Sequence, residues 1–371
     1  MSGFLAVFFI TLGLGQLIST GMGLRGAALV NSSRLLGYGV GLFLVVVGGL
    51  ILPQAWPVLW WTLLAGPLTV LLLLWGSAYI DPPPHPNHFF APTHPAHGGC
   101  QAVNIPDGND RIPGFLLSPP KNSLTFERKV DRPAVCIIHG AGAHKTFFLW
   151  SLAQALLAQG LAVLIIDLPG HGDYRHRLLA YPDCLSVTSA ALQFLRQQPG
   201  VSRVGLIGIS MGGALVLNSL AENSTARANT DAVAIIEMPV RLLHTRQQLF
   251  YRELWRTLTG PVLSSLLREA SVKQAWQIWH SGGRRSQHTL DELFALFDPL
   301  KHIARLSDLP LLLVYSRADT VAPPEMAAAL RQAAPQADFI EEKKASHVLL
   351  TLTPKINRQI ATWLWQQLAH Q

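Results

Sequence analysis

The chain has 371 residues, 49% of them hydrophobic and only 14% charged, and a net charge of +7. Soluble domains average about one quarter charged residues, so part of this chain is expected in lipid. The basic residues form no aromatic-interleaved stripe, which argues against nucleic acid as a partner, and the three cysteines (Cys100, Cys136, Cys184) have neither the even count of a disulfide framework nor metal-type spacing.

Residues 1–80 contain no acidic residue and only Arg25 and Arg34 as basic ones. Three apolar stretches lie there: Phe4 to Thr20, Leu35 to Leu52, and Trp56 to Ile80. A spanning helix needs about 20 apolar residues. The third stretch meets this, the second just meets it, and the first is short and glycine-rich. Two or three transmembrane helices are therefore expected. The first stretch lacks the positive flank of a signal peptide. Trp56, Trp60 and Trp61 at one end of the third stretch, with Trp75 and Tyr79 at the other, suit interfacial positions. Gly37 and Gly41 are a small-residue pair at helical spacing. Arg25 and Arg34 place the loop between the first two stretches in the cytoplasm. The hairpin that follows returns the chain there. The expectation is a multi-pass integral membrane protein with a cytoplasmic large domain.

Residues 81–100 hold Asp81-Pro82-Pro83-Pro84, Pro86, Pro92 and Pro95. Proline fixes φ and removes a donor, so an extended spacer is expected. His85, His88, His94 and His97 share this linker. Proline-rich segments hold metal ligands poorly, and no metal or cofactor is expected.

From residue 101 to 371 the pattern is that of a single enzyme domain. Ala134–Ile138, Leu161–Ile166, Val204–Ile209, Ala232–Ile236 and Leu311–Tyr315 are apolar runs of strand length, and Asp338–Ile340 is a shorter one. Between them, Phe147–Gln159, Leu179–Gln197, Met211–Ala221, Pro324–Ala334 and Lys355–Leu368 have helical spacing. Continuous apolar strands alternating with helices mean a mostly parallel sheet covered on both faces, an α/β fold.

The decisive motif is Gly208-Ile209-Ser210-Met211-Gly212, a Gly-x-Ser-x-Gly between a strand and a helix. The turn is too tight for side chains at Gly208 and Gly212, and it forces Ser210 to expose its hydroxyl. The following helix points its positive dipole end at the same place.

With that motif the sequence resembles the α/β-hydrolase superfamily of serine hydrolases, over roughly residues 101–370. His139-Gly140-Ala141-Gly142-Ala143-His144 resembles the loop that supplies the second oxyanion donor. By that resemblance the donors are the backbone N–H groups of Ala141 and Met211. Asp167-Leu168-Pro169-Gly170-His171-Gly172 resembles the loop that shapes the family's pocket. Together the motifs are similar to those of monoacylglycerol lipases and lysophospholipase-like esterases. The acid and base follow in the order Ser, acid, His. Ser316-Arg317-Ala318-Asp319-Thr320-Val321-Ala322-Pro323 resembles the family's acid loop, with Ser316 in a glycine place and Ala322 inserted. Lys344-Ala345-Ser346-His347-Val348 stands where the family carries its base. The resemblance thus implies Ser210 as nucleophile, Asp319 as acid and His347 as base. Glu237, at the end of the fourth run, is a rival acid.

Residues 239–308 separate neighbouring strands and read as helical, a candidate cap over the site. Arg241, Arg246, Arg252 and Arg256 suit contact with lipid head groups. The expected reaction is cleavage of a carboxylic ester, with a lipophilic substrate and membrane lipids as partners. A thioesterase, a serine peptidase, an acyltransferase or perhydrolase, or an inactive membrane scaffold are the alternatives.

Overall fold

A computed structural model describes residues 2–22, 34–51, 97–120, 132–243, 248, 252–253 and 285–369. The chain divides into two units, Met1–His85 and Pro86–Gln371.

The described part of the first unit is a pair of helices, α1 (Ser2–Met22) and α2 (Arg34–Ile51). They meet through glycine. A Cβ on Gly13 would stand 2.6 Å from the Gly41 carbonyl oxygen, and one on Gly48 would stand 2.7 Å from that of Ala6. Only hydrogen fits at such an approach. Leu5, Phe8, Leu14, Leu42, Phe43, Val46 and Leu50 are exposed on the outside of the pair. Among the described residues no helix is long and apolar enough to cross a membrane. The two or three spanning helices expected from the sequence are therefore not found there. Gln16 and the glycines interrupt the apolar face of α1, and α2 has only 18 residues. The longest apolar run, 56–80, lies outside the described residues.

The second unit opens with a hairpin that the strand patterning did not suggest, β1 (Gly99–Asp107) and β2 (Asp110–Ser118). It turns at Gly108-Asn109, with Gly108 at φ +63°. Strand β1 starts inside the stretch expected to be linker. The alternation that buries Val103, Ile105 and Asp107 overrides the polar composition around them.

Six further strands follow: β3 (Arg132–Ile138), β4 (Ala162–Ile166), β5 (Val201–Ile209), β6 (Ala232–Ile236), β7 (Leu311–Ser316) and β8 (Asp338–Glu342). The eight form one sheet in the order β1-β2-β4-β3-β5-β6-β7-β8. The pairs β1/β2 and β2/β4 are antiparallel, and every other pair is parallel.

The helices of this unit are α3 (Trp150–Ala158), α4 (Ser186–Arg196), α5 (Met211–Glu222), α6 (Ser224–Ala228), α7 (Leu290–Phe297), α8 (Pro299–Ile303), α9 (Pro324–Ala333) and α10 (Pro354–Ala369). Side chains alternate between two cores, as the period of two requires. Ala134, Cys136, Ile138, Leu206, Val233 and Leu313 face α4, α5, α7, α8 and α9. Val135, Ile137, Ile207, Ala234 and Val314 face α3 and α10. Ile356, Ile360 and Leu364 of α10 are buried there, on the face that the sequence pattern indicated.

Two expectations change. The helix expected over Leu179–Gln197 begins only at Ser186. Leu179 instead bridges to Ser286, and Pro182 has no N–H to give a helix. Of the expected cap, residues 239–308, the C-terminal part is not a cap. Leu293, Phe294, Phe297 and Ile303 are buried with α5 in the main core. The Asn218 amide donates to the Phe297 carbonyl at 3.3 Å. Arg241 and Arg252 are exposed, whereas Arg246 and Arg256 lie outside the described residues.

Candidate active site

Strand β5 ends at Ile209 and α5 begins at Met211, so Ser210 alone makes the turn. Its backbone stands at φ +51°, ψ −121°, a region that residues with a side chain rarely occupy. The position is held from both sides. The Ser210 N–H donates to Ile236 O at 2.9 Å, and Ser210 O accepts from the Gly213 N–H at 2.9 Å. A Cβ on Gly208 would meet the Gly213 Cα at 2.6 Å. One on Gly212 would meet the Ile138 and His139 carbonyl oxygens at 2.4 and 2.5 Å. Both elbow glycines are thus required by close backbone approach.

Asp319 lies in the loop after β7 and His347 in the loop after β8, on the same side of the sheet as Ser210. The structure brings the three together. The Ser210 hydroxyl stands 3.0 Å from His347 Nε2, and His347 Nδ1 stands 2.8 Å from Asp319 Oδ2. An N–H on Nδ1 donates to the carboxylate, which leaves the Nε2 lone pair to receive the serine proton. Asp319 Oδ1 accepts the N–H groups of Val321 and Ala322 at 2.7 and 2.8 Å. With the imidazole, that makes three donors on one buried carboxylate. Burial opposes charge on the His347 ring, but the Asp319 charge, the hydrogen bond to it and the Glu253 charge outweigh burial. The ring is held above its ordinary 6.5.

Met211 opens α5, where N–H groups lack intrahelical acceptors. Ala141 follows Gly140, whose Cα faces Ser210 so closely that a Cβ there would be 3.0 Å from the serine Cβ. Among the described residues neither the Ala141 nor the Met211 N–H has a protein acceptor. Two free donors beside a hydroxyl suit a developing oxyanion.

Two histidines position that loop. The His139 Nδ1–H donates to Gly140 O at 2.8 Å, and its Nε2 accepts the Leu168 N–H at 3.1 Å. Burial pushes His139 down to about 3, so the ring is neutral. The His171 Nδ1–H donates to Pro169 O, and its Nε2 accepts the Gly142 N–H. The next residues are held by a buried ion pair. Lys145 Nζ lies 2.6 Å from Asp167 and 2.5 Å from Asp173, and the Lys145 N–H also donates to Asp167. These residues brace the loops.

Two carboxyls stand beside the trio. Glu237 ends β6 in a left-handed conformation, φ +48°, and is fully buried. Burial pushes its carboxyl well above the usual carboxylate range, and the Asp319 and Glu253 charges push it further. Glu253 Oε1 accepts from the Thr320 hydroxyl at 2.5 Å. The sequence marked Glu237 as a rival acid. It missed Glu253, one acidic residue in a helix-patterned run with no motif around it. Among the described residues, Glu237, Asp319 and His347 converge at ligand-like spacing. His347 already contacts Asp319 through one ring nitrogen and Ser210 through the other, an arrangement able to move a proton.

The Alpha/beta hydrolase family profile matches residues 135–355, more than half of the chain. The chain belongs to the alpha/beta hydrolase family. No curated protein matches this hydrolase in sequence. Solved structures do match its fold. One, described as DcsB in complex with its substrate analogue, superposes with a TM-score of 0.54 at 17% identity, covering 73% of this hydrolase and 100% of that chain. A bromoperoxidase from Bacillus anthracis gives 0.53 at 18% identity, covering 72% and 100%. The esterase EaEST from Exiguobacterium antarcticum gives 0.52 at 16%, covering 71% and 99%. At these identities the likeness concerns the fold.

Proposed function

We propose that this protein is a serine hydrolase that cleaves a carboxylic ester with a lipophilic acyl chain through an acyl-enzyme on Ser210. The observation that carries the reading is the chain of contacts from Ser210 through His347 to Asp319, at 3.0 and 2.8 Å. Ser210 attacks the acyl carbonyl while His347 Nε2 takes its proton. The Ala141 and Met211 N–H groups stabilise the tetrahedral oxyanion. The histidine then gives the proton to the leaving alcohol, and water attacks the acyl-enzyme by the same route. Esterase and other hydrolase chemistry among proteins of similar fold is consistent with this reading.

The test is fluorophosphonate labelling of the detergent-solubilised full chain, read by intact mass. One adduct, absent from Ser210→Ala, is expected. An adduct that persists in Ser210→Ala overturns the reading. A series of p-nitrophenyl esters of increasing chain length then tests the lipophilic preference.

The N-terminal 80 residues are proposed as a multi-pass membrane anchor, with the catalytic domain in the cytoplasm. Support comes from the three apolar stretches and from the side chains that α1 and α2 turn outward, such as Phe43 and Leu50, 66% and 72% exposed. Release of the protein from membranes by alkaline carbonate would sink the anchor. Labelling of Cys100 from outside intact cells would reverse the orientation.

A further inference from the structure

Glu237 lies beside the proposed triad and takes no part in the reaction above. It closes β6, next to the strand whose following loop carries Asp319. Its N–H donates to Val314 O at 2.9 Å, which fixes the backbone in its left-handed conformation. Both carboxyl oxygens are buried, and among the described residues neither has a hydrogen-bond partner. A carboxyl oxygen of Glu237, one of Asp319 and a ring nitrogen of His347 all lie within 4.8 Å of one another.

The groups that face Glu237 are Asp319 and Tyr315 from β7 and its loop, His347 from the loop after β8, and Glu253. Asp319 is held by two backbone N–H groups and the imidazole, whereas among the described residues Glu237 has no donor, and burial keeps its carboxyl well above the usual carboxylate range.

We propose that Glu237 is a reserve acid: it stands beside the Asp319–His347 pair and takes over the orientation of His347 when Asp319 is neutralised. The inference rests on the triad reading of Ser210, Asp319 and His347. A carboxyl oxygen of Glu237 lies within 4.8 Å of a His347 ring nitrogen, so the gap to hydrogen-bonding distance is at most about 2 Å. The glutamate has three rotatable bonds with which to close it. In this role Glu237 is a positioning residue that acts through the histidine.

The test compares fluorophosphonate labelling rates of the full chain across pH for Asp319→Asn, Asp319→Asn/Glu237→Gln and Ser210→Ala. Amide replacement of the triad aspartate costs about 10⁴-fold in a serine protease that has no second acid. Here Asp319→Asn is expected to lose only about 10- to 100-fold and to gain rate as pH rises through the Glu237 ionisation. The double variant is expected to lose the remainder and that rise together. If Asp319→Asn is as slow as the double variant, or if their pH profiles coincide, the proposal fails. Should the Gln variant lack a native near-UV circular dichroism spectrum, Asp319→Asn/Glu237→Met takes its place. Labelling that survives Ser210→Ala sinks the triad reading instead, so the two failures are distinguishable.

Discussion

His171 Nε2 accepts the Gly142 N–H at 3.2 Å, which ties the loop carrying Ala141 to the loop after β4. With its Nδ1–H given to Pro169, the ring has both nitrogens committed and serves as a brace. His171→Ala removes the brace and leaves Ser210, His347 and Asp319 in place. Losing an oxyanion donor outright costs about 10²–10³-fold in kcat, and misplacing one costs less. On a p-nitrophenyl ester we expect kcat to fall about 10-fold with KM nearly unchanged. A rise in KM alone would mean that the loop binds substrate and does not serve the oxyanion.

The pH profile follows from the Asp319–His347 pair. The base must be neutral to take the serine proton, and the ring is held above its ordinary 6.5. Activity should therefore rise with pH through a limb centred above 6.5. Asp319→Asn/Glu237→Gln removes the Asp319 charge that lifts the ring and the carboxyl proposed to replace it, so the histidine limb should move down. A wild-type limb centred below 6.5 in kcat/KM would contradict the pairing.

Glu237 makes stability depend on pH with the opposite sign from an ordinary ion-paired carboxylate. Its folded value is raised above the ordinary 4.5. Above that pH the unfolded chain has released a proton that the folded chain keeps, so stability falls as pH rises. The slope is on the order of 1.4 kcal/mol per pH unit until the folded group ionises. Glu237→Gln carries no such proton and should lack the slope. Urea unfolding of both proteins at pH 5 and pH 7 measures this. Equal changes in the two would show that the buried carboxyl is already charged.

Gly212→Ala tests the elbow. The added Cβ would meet two backbone carbonyl oxygens, of Ile138 and His139, and neither can swing aside as a side chain would. A loss of about 2–4 kcal/mol is expected by denaturant unfolding, with loss of fluorophosphonate labelling. A fully stable, fully active variant would mean that the elbow is looser than described.

The parallel strands were legible because burial on both faces writes them as unbroken apolar runs. Val204–Ile209 and Ala232–Ile236 are examples. Ser210 and Asp319 were legible because each follows such a run, whereas His347 follows the short, half-exposed β8 and was placed by the resemblance of its loop. The hairpin β1/β2 was not, because half of β1 faces solvent and Pro106 and Asn104 break the apolar pattern. Helices α7 and α8 were mistaken for cap because apolar spacing reports that a face is buried, not what covers it. Glu253 reaches Thr320 across 67 positions of sequence. No local pattern encodes such a contact.

Among the described residues, strand β8 lies at the rim of the sheet and pairs with β7 alone. The loop that bears His347 follows this outermost strand, whereas Ser210 follows a strand with neighbours on both sides. Rim strands fray at lower free energy than the centre. Mild denaturant should therefore part the base from the nucleophile while the middle of the sheet is still intact, and this enzyme should fall silent before it falls apart.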